Sequence, residues 1–145
     1  MRNRSLRRVV RPPHRPARMI IDSSVAAAIC LGEPDAERFA EHLVDTSQPA
    51  MSAATYLEAG IVIDARMLGA FDRFVTNLDI DVIPVDLHQA DIARQAYRRF
   101  GKGSGHRAGL NYGDCFAYAA AIALDDTLLF KGTDFTHTDV RAAIE

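Results

Sequence analysis

The stretch Met19-Ile20-Ile21-Asp22-Ser23-Ser24 constrains the chain more than any other. An apolar run passes without a break into a carboxylate and two hydroxyls. Such a run reads as a buried strand of a parallel sheet, covered on both faces. Asp22 then falls at the strand's carboxyl end, and a serine after it suits the cap of a following helix. In open α/β sheets that edge carries the ligand crevice. Taken alone, Asp22 reads equally well as a turn or cap residue and as a site residue. The weight comes from acids that recur at comparable places further along.

The rest of the chain alternates helical and strand patterns. Val25 to Leu31 predicts a short helix stopped by Gly32. Glu33-Pro34-Asp35 opens another, with Phe39, Leu43 and Val44 as its apolar side. Ala50-Met51 reads as a second strand and Ser52 as a cap. From Ala53 to Leu68, the residues Ala54, Leu57, Ile61, Ala65 and Leu68 recur at three- and four-residue steps, which predicts a buried stripe. Glu58 falls beside that stripe. A lone carboxylate there costs several kcal/mol unless it is paired, protonated or bound to metal, and Arg66 is the pairing alternative. Phe71, Phe74, Val75 and Leu78 predict a helix to about Asn77, and Asp79 to Ile83 a third strand. Asp86 suits a helix cap with Gln89 at the capping-box position, and Ala90, Ala93, Tyr97 and Phe100 form that helix's inner face.

Phe100 to Gly109 is a basic, glycine-rich loop without the strand–loop–helix context of a P-loop. Two readings stand: a mobile flap contacting phosphate through Lys102, His106 and Arg107, or a disordered connector. Asn111-Tyr112-Gly113-Asp114 opens an almost wholly apolar helix to Leu124, and Asp114 in its first turn suits the helix dipole. Thr127 to Phe130 reads as a fourth strand. Lys131-Gly132-Thr133-Asp134 then places another acid just past a strand end, and Asp139 falls in a last helical turn.

With 145 residues, 48% hydrophobic and 25% charged, the chain suits one globular domain. Cys30 and Cys115 lie far apart in apolar runs, as expected of reduced thiols in a cytoplasmic protein. No apolar run reaches the roughly 18 residues of a membrane span. Charge is unevenly placed. Residues 1–18 hold seven arginines and no acid, which leaves 10 of the 17 basic residues against all 19 acids, a body of −9. The leader reads as a disordered tail, or as residues upstream of a start at Met19; a nucleic-acid arm is the alternative. The folded domain is expected over residues 19–145.

Asp22, Glu58, Asp114 and Asp134 together fit one site at the sheet's carboxyl edge. Two unit charges about 4 Å apart repel by about 4 kcal/mol at an effective dielectric near 20, so such a set calls for cations. Hard oxygen ligands favour Mg²⁺ or Mn²⁺, and no HExxH or CxxC pattern points to zinc.

Four stretches in this order and spacing resemble the VapC-type toxins among PIN-domain ribonucleases. They are Ile20-Ile21-Asp22-Ser23-Ser24, Ser52 through Glu58, Asn111-Tyr112-Gly113-Asp114-Cys115, and Phe130-Lys131-Gly132-Thr133-Asp134-Phe135. The resemblance runs from Met19 to the C-terminus and leaves the arginine leader outside. It implies a PIN-like three-layer α/β/α fold with a small parallel sheet of four to five strands. It implies a Mg²⁺-dependent endoribonuclease, with Mn²⁺ as the alternative ion. Asp22 and Asp114 would then be direct ligands, Glu58 and Asp134 would serve a second ion or the attacking water, and Ser23 would support them. It also implies a homodimer and an antitoxin that places a basic residue in the cluster. Lys102, His106, Arg107, Lys131 and the pair Arg98-Arg99 are the local positive charge available to RNA. The rival reading is a PIN-like module that binds RNA or protein without cutting. A haloacid-dehalogenase-type phosphatase needs a second Asp where Ser24 stands, and a receiver domain needs acids where the leader has arginines.

Overall fold

A computed structural model describes residues 18–45 and 48–144; the leader from 1 to 17 lies outside the described residues. Arg18, counted above with the leader, belongs to the folded body. Its backbone N–H donates to Asp126 Oδ1 at 3.2 Å, and its guanidinium pairs with Asp81 at 3.1 Å.

The chain runs β1 (Met19–Ile21), α1 (Ser23–Cys30), α2 (Ala36–Val44), β2 (Pro49–Ser52), α3 (Ala53–Asp64), α4 (Ala70–Asn77), β3 (Asp81–Ile83), α5 (Leu87–Phe100), α6 (Tyr112–Leu124) and β4 (Thr127–Leu129), and then a 3-10 turn (Asp134–His137). The strands form one parallel sheet of four in the order β3-β2-β1-β4. The C-terminal segment begins a further layer of pairing outside β4. Leu128 accepts from Ala143 N–H at 2.9 Å and donates to Arg141 O at 2.8 Å.

Period-two alternation builds the three layers. Ile20, Ala50, Ile83 and Leu128 point into a core shared with α5 and α6. Met19, Ile21, Met51 and Leu129 point to the other face, into a core with Phe39, Leu43, Ile63 and Phe71 from α2, α3 and α4. Both sheet faces are therefore covered, as a three-residue apolar β1 requires. Fully burying a Phe71 or an Ile63 is worth about 1.5–3 kcal/mol each.

The caps of α3 and α5 fall where the sequence puts them, while α1 is capped by Asp22 itself and not by the serine after it. Gly32 adopts φ +67° just past α1, a left-handed position that suits glycine. Ser52 accepts from Ala54 N–H at 3.3 Å to start α3, and Asp86 accepts from Gln89 N–H at 2.8 Å to start α5. The Gln89 side chain does not complete a capping box there; it donates to Pro84 O at 3.3 Å.

One expectation fails clearly. The predicted inner stripe of α3 faces outward: Leu57 and Ile61 are each 63% exposed and Leu68 is 83% exposed, past the helix end at Asp64. The buried residues are Thr55, Ala59 and Ile63. Small residues on that side let α3 approach its neighbours closely. A Cβ on Gly60 would already touch the Phe71 ring at 3.4 Å. Backbone proximity, not side-chain bulk, selected the buried face.

Candidate active site

β1 has β2 and β3 on one side and β4 on the other, so the order of connection reverses between β1 and β4. That switch point is where an open α/β sheet leaves a crevice at its carboxyl edge. Asp22 sits there. Its backbone N–H donates to Leu129 O at 3.0 Å, across to β4.

Asp22 is the N-cap of α1, and its Oδ2 accepts from Ser24 N–H at 3.1 Å and from the Ser24 hydroxyl at 2.6 Å. The Ser24 Oγ also accepts from Lys131 N–H at 3.0 Å. One hydroxyl therefore ties the loop after β4, which carries Asp134, to the first acid. The carboxyl of Asp22 is 5% exposed. Burial pushes its pKa up, the Ser24 bonds oppose that, and the nearby Glu58 charge adds to it.

Glu58 stands on the solvent side of α3, held by the Ser23 hydroxyl, which donates to Oε1 at 2.7 Å. Ser23 thus supports Glu58 while Ser24 supports Asp22. The sequence reading named only Ser23. Arg66, the alternative partner for Glu58, plays no such part. The Glu58 carboxylate fits against the first turn of α6 only because residue 113 is glycine: a Cβ there would lie 2.0 Å from Oε2 and 2.8 Å from Cδ.

Asp114 is fixed by a reciprocal capping box. Asn111 Oδ1 accepts from Asp114 N–H at 2.8 Å, and Asp114 Oδ2 accepts from Asn111 N–H at 3.0 Å. Its pKa is pushed up to about 6, chiefly by burial, with the Asn111 N–H opposing and the charges of Asp22, Asp134 and Glu58 adding to it. The charges of all three other acids reach this one carboxyl. Asp134 opens the exposed 3-10 turn beyond β4.

Repulsion among the carboxylates favours a spread arrangement. Among the described residues no three His, Cys, Asp or Glu side chains already converge on one ion position. The donor set nevertheless fits a hard divalent cation. Every candidate ligand is a carboxylate oxygen, and among the described residues no cationic side chain is a cause of the raised pKa of Asp22 or Asp114.

The basic candidates divide. Lys131 is committed to Asp35 at 3.1 Å and to Glu33 at 3.6 Å, away from the acids. The Lys102 loop is not a disordered connector: Lys102 N–H donates to Leu110 O at 2.9 Å and Leu110 N–H to Phe100 O at 2.8 Å, closing it. His106 packs edge-on against Phe100, and its Nδ1 accepts from Ala108 N–H at 3.1 Å. Lys102 and Arg107 are exposed. Arg99 pairs with Asp139 at 3.8 Å and lies over the Phe100 ring.

A parallel three-layer domain with carboxylates gathered about its switch point defines the class: an α/β domain with acidic residues at the carboxyl edge of its sheet. The PIN domain profile matches residues 19–141, and the chain belongs to that family, in its VapC-type ribonuclease branch. Ribonuclease VapC28 of Mycobacterium tuberculosis is 45% identical over 131 residues, covering 88% of this chain and 98% of that protein. Ribonuclease VapC of Mycolicibacterium smegmatis is 48% identical over 128 residues, with 86% and 98% covered. A toxin–antitoxin complex from Klebsiella pneumoniae shares the fold at a TM-score of 0.63 and 17% identity, over 81% of this chain and 89% of that one. Among the described residues no helix is long and apolar enough to cross a membrane.

Proposed function

We propose that the protein is a Mg²⁺-dependent endoribonuclease, the cytoplasmic toxin of a toxin–antitoxin pair, with Mn²⁺ as an alternative ion. The observation that carries this reading is the placement of the acids at the switch point: Asp22 caps α1 at the end of β1, Ser23 holds Glu58, and the Glu58 carboxylate lies against Gly113, next to Asp114. Asp22 and Asp114 would hold the cation. When bound, a divalent ion polarises phosphate oxygen and lowers the pKa of a water.

The chain's own residues do the rest. Ser24 keeps the Asp22 carboxylate in one orientation, and the Asn111 N–H occupies one Asp114 oxygen so that the other faces the pocket. Ser23 steadies Glu58, which with Asp134 orients the attacking water in line with the leaving oxygen. Cleavage in this sense leaves a 5′-phosphate and a 3′-hydroxyl. With Arg18 included, the folded body carries −8 and repels RNA, so binding depends on the local cations left free for it, with Lys102 and Arg107 exposed in their loop.

Partners follow from the outward face of α3. Leu57, Ile61 and Val62 are exposed there beside Glu58, an apolar surface of the kind that marks protein contacts. It supports a homodimer and an antitoxin, one of whose basic residues would pair with the carboxylates as a guanidinium does, bidentately. The Klebsiella neighbour being a toxin–antitoxin complex agrees with this.

The direct test is cleavage of total RNA with Mg²⁺, which EDTA and Asp114→Asn should abolish. Expression should arrest growth, and Asp22→Ala should relieve the arrest. Because Asp22 is buried and its carboxyl raised, Asp22→Asn should also melt higher than wild type at neutral pH. A wild type that binds RNA yet cuts none, in Mg²⁺ or Mn²⁺, would establish the binding-module reading instead.

A further inference from the structure

The acids occupy one side of the α6 N-terminus. On the other side, between α5 and α6, lies a groove of about 540 Å³ that the nuclease reading leaves unused. Arg94, Tyr97 and Arg98 of α5 form one wall, Tyr112 and Phe116 of α6 the other, and Ala93 lies at the floor. The spacing explains the walls: 94 and 98, and 112 and 116, are each four residues apart and share a helix face. An alanine floor leaves a slot between aromatic walls.

Two features are unusual for a structural seam. Tyr112 is 78% exposed, and its ring meets Phe116 edge-on at 4.9 Å and 87°, leaving a face open. Arg94 and Arg98 have no acidic partner among the described residues, unlike Arg99, which Asp139 engages. No acid lines the groove. On a body of −8 this is a local cationic and aromatic exception.

We propose that this groove is a nucleotide subsite: it holds an unpaired RNA base against Tyr112 and Tyr97, with the adjoining phosphate on Arg94 and Arg98. This rests on the ribonuclease reading above. Aromatic faces stack any base, and arginines track the backbone, which is the chemistry of single-strand binding. The position fits. Tyr112 precedes Asp114 by two residues and projects from the opposite side of the same helix end, so base and acids are about a helix diameter apart, roughly 10 Å. A strand crossing that end would seat a base in the groove while a neighbouring phosphate meets the carboxylates. A second copy of the chain fits less well. An isologous contact sets the same patch against itself, arginines facing arginines with no acid between. RNA supplies the anion and the π-face together.

The test uses the full-length protein and a short single-stranded RNA carrying 2-aminopurine, with binding read by anisotropy and quenching in EDTA. Cleavage kinetics are measured separately in Mg²⁺. Tyr112→Ala should weaken binding about 5- to 100-fold and abolish quenching, while Tyr112→Phe keeps both. In cleavage, Tyr112→Ala should raise KM far more than it lowers kcat. Combined Arg94→Ala and Arg98→Ala should reduce the salt dependence of binding. Tyr112 is exposed, so its variants should keep the wild-type melting temperature. Three results overturn the proposal: unchanged RNA affinity in Tyr112→Ala, an equal loss for duplex RNA of the same sequence, or conversion of a dimer to a monomer by that change in light scattering. Wild-type cleavage with an unaffected Tyr112→Ala sinks the groove alone. Tyr112-dependent binding without any cleavage keeps the groove and sinks the nuclease reading.

Discussion

Gly113 lies in the first turn of α6 with ordinary helical backbone, so nothing about its dihedrals demands glycine. Its neighbour does. A methyl group at 113 would sit 2.0 Å from Glu58 Oε2, whereas ordinary contact begins at 3.4 Å, so the carboxylate must retreat by about 1.4 Å. Glu58 is exposed and can swing outward, so the fold need not break. The stability balance is small. Alanine in place of a helical glycine gains up to about 1 kcal/mol. Losing the Ser23–Glu58 hydrogen bond forfeits about 0.5–1.5 kcal/mol. Gly113→Ala should therefore melt within a few degrees of wild type. Activity should behave differently. A displacement of about 1 Å in a catalytic group costs on the order of 100-fold, so the cleavage rate should fall by about that factor and the Mg²⁺ midpoint should rise.

The assay pairs melting curves with cleavage of a labelled RNA across a Mg²⁺ series. A Glu58→Ala background supplies the control: there the new methyl meets no carboxylate, and adding Gly113→Ala should change the rate little, a strongly non-additive cycle. If Gly113→Ala cleaves within about threefold of wild type at an unchanged Mg²⁺ midpoint, Glu58 is not where this reasoning puts it. If the variant unfolds, the close approach is structural and not a device of the site.

Two further outcomes follow from the same geometry. Asp114 has a carboxyl raised to about 6 in the fold against an ordinary 3.8, so the folded protein binds more protons than the unfolded chain between those values. Metal-free stability from this group is thus full below about pH 4 and is lost as pH rises through 6. Cleavage needs the ionised acid and should rise through the same window; melting and rate profiles of wild type against Asp114→Asn check both, and parallel profiles would refute the assignment. Lys131 spends its charge on Asp35 and Glu33, so Lys131→Ala should leave the salt slope of RNA binding unchanged, where a phosphate contact would lower it by about one; filter binding across a salt series decides this.

Much of the frame was legible because it rests on local rules. An apolar run ending in Asp-Ser-Ser can only be a covered strand feeding a capped helix, and β1 with the Asp22 cap is that. Asp22, Asp114 and Asp134 were legible as candidates because each stands next to a readable boundary, a strand end or a helix start, whereas Glu58 was singled out beside a stripe that in fact faces outward. What stayed hidden depends on distance between helices. The apolar periodicity of α3 reports bulk, and the packed side is the one with Ala59 and Gly60, where backbones approach. The division of labour between Ser23 and Ser24 is likewise set by the rotation of about 100° between consecutive residues at the start of α1, below the resolution of any spacing rule. Two residue types at 111 and 114 did carry a missed signal. Asn followed three positions later by Asp is a capping-box pattern, and it was read only as a favourable dipole.

The Ser24 hydroxyl links these observations to mechanism. It donates to Asp22 and accepts from the backbone of Lys131, while the Lys131 side chain is anchored at the turn between α1 and α2. Asp134 lies three residues further on, past Gly132 at φ +93°, a backbone turn that suits glycine. The loop that carries the fourth acid is therefore tied at its start, through both the backbone and the side chain of Lys131, while Asp134 itself is exposed. Asp22 and Asp114 are held by caps at the starts of α1 and α6, whereas Glu58 is held by the Ser23 hydroxyl and Asp134 only through the tie of its loop at the Lys131 backbone. Under the proposed metal-dependent cleavage, the two capped carboxylates would receive the cation and the two less constrained ones would follow the water and the phosphate.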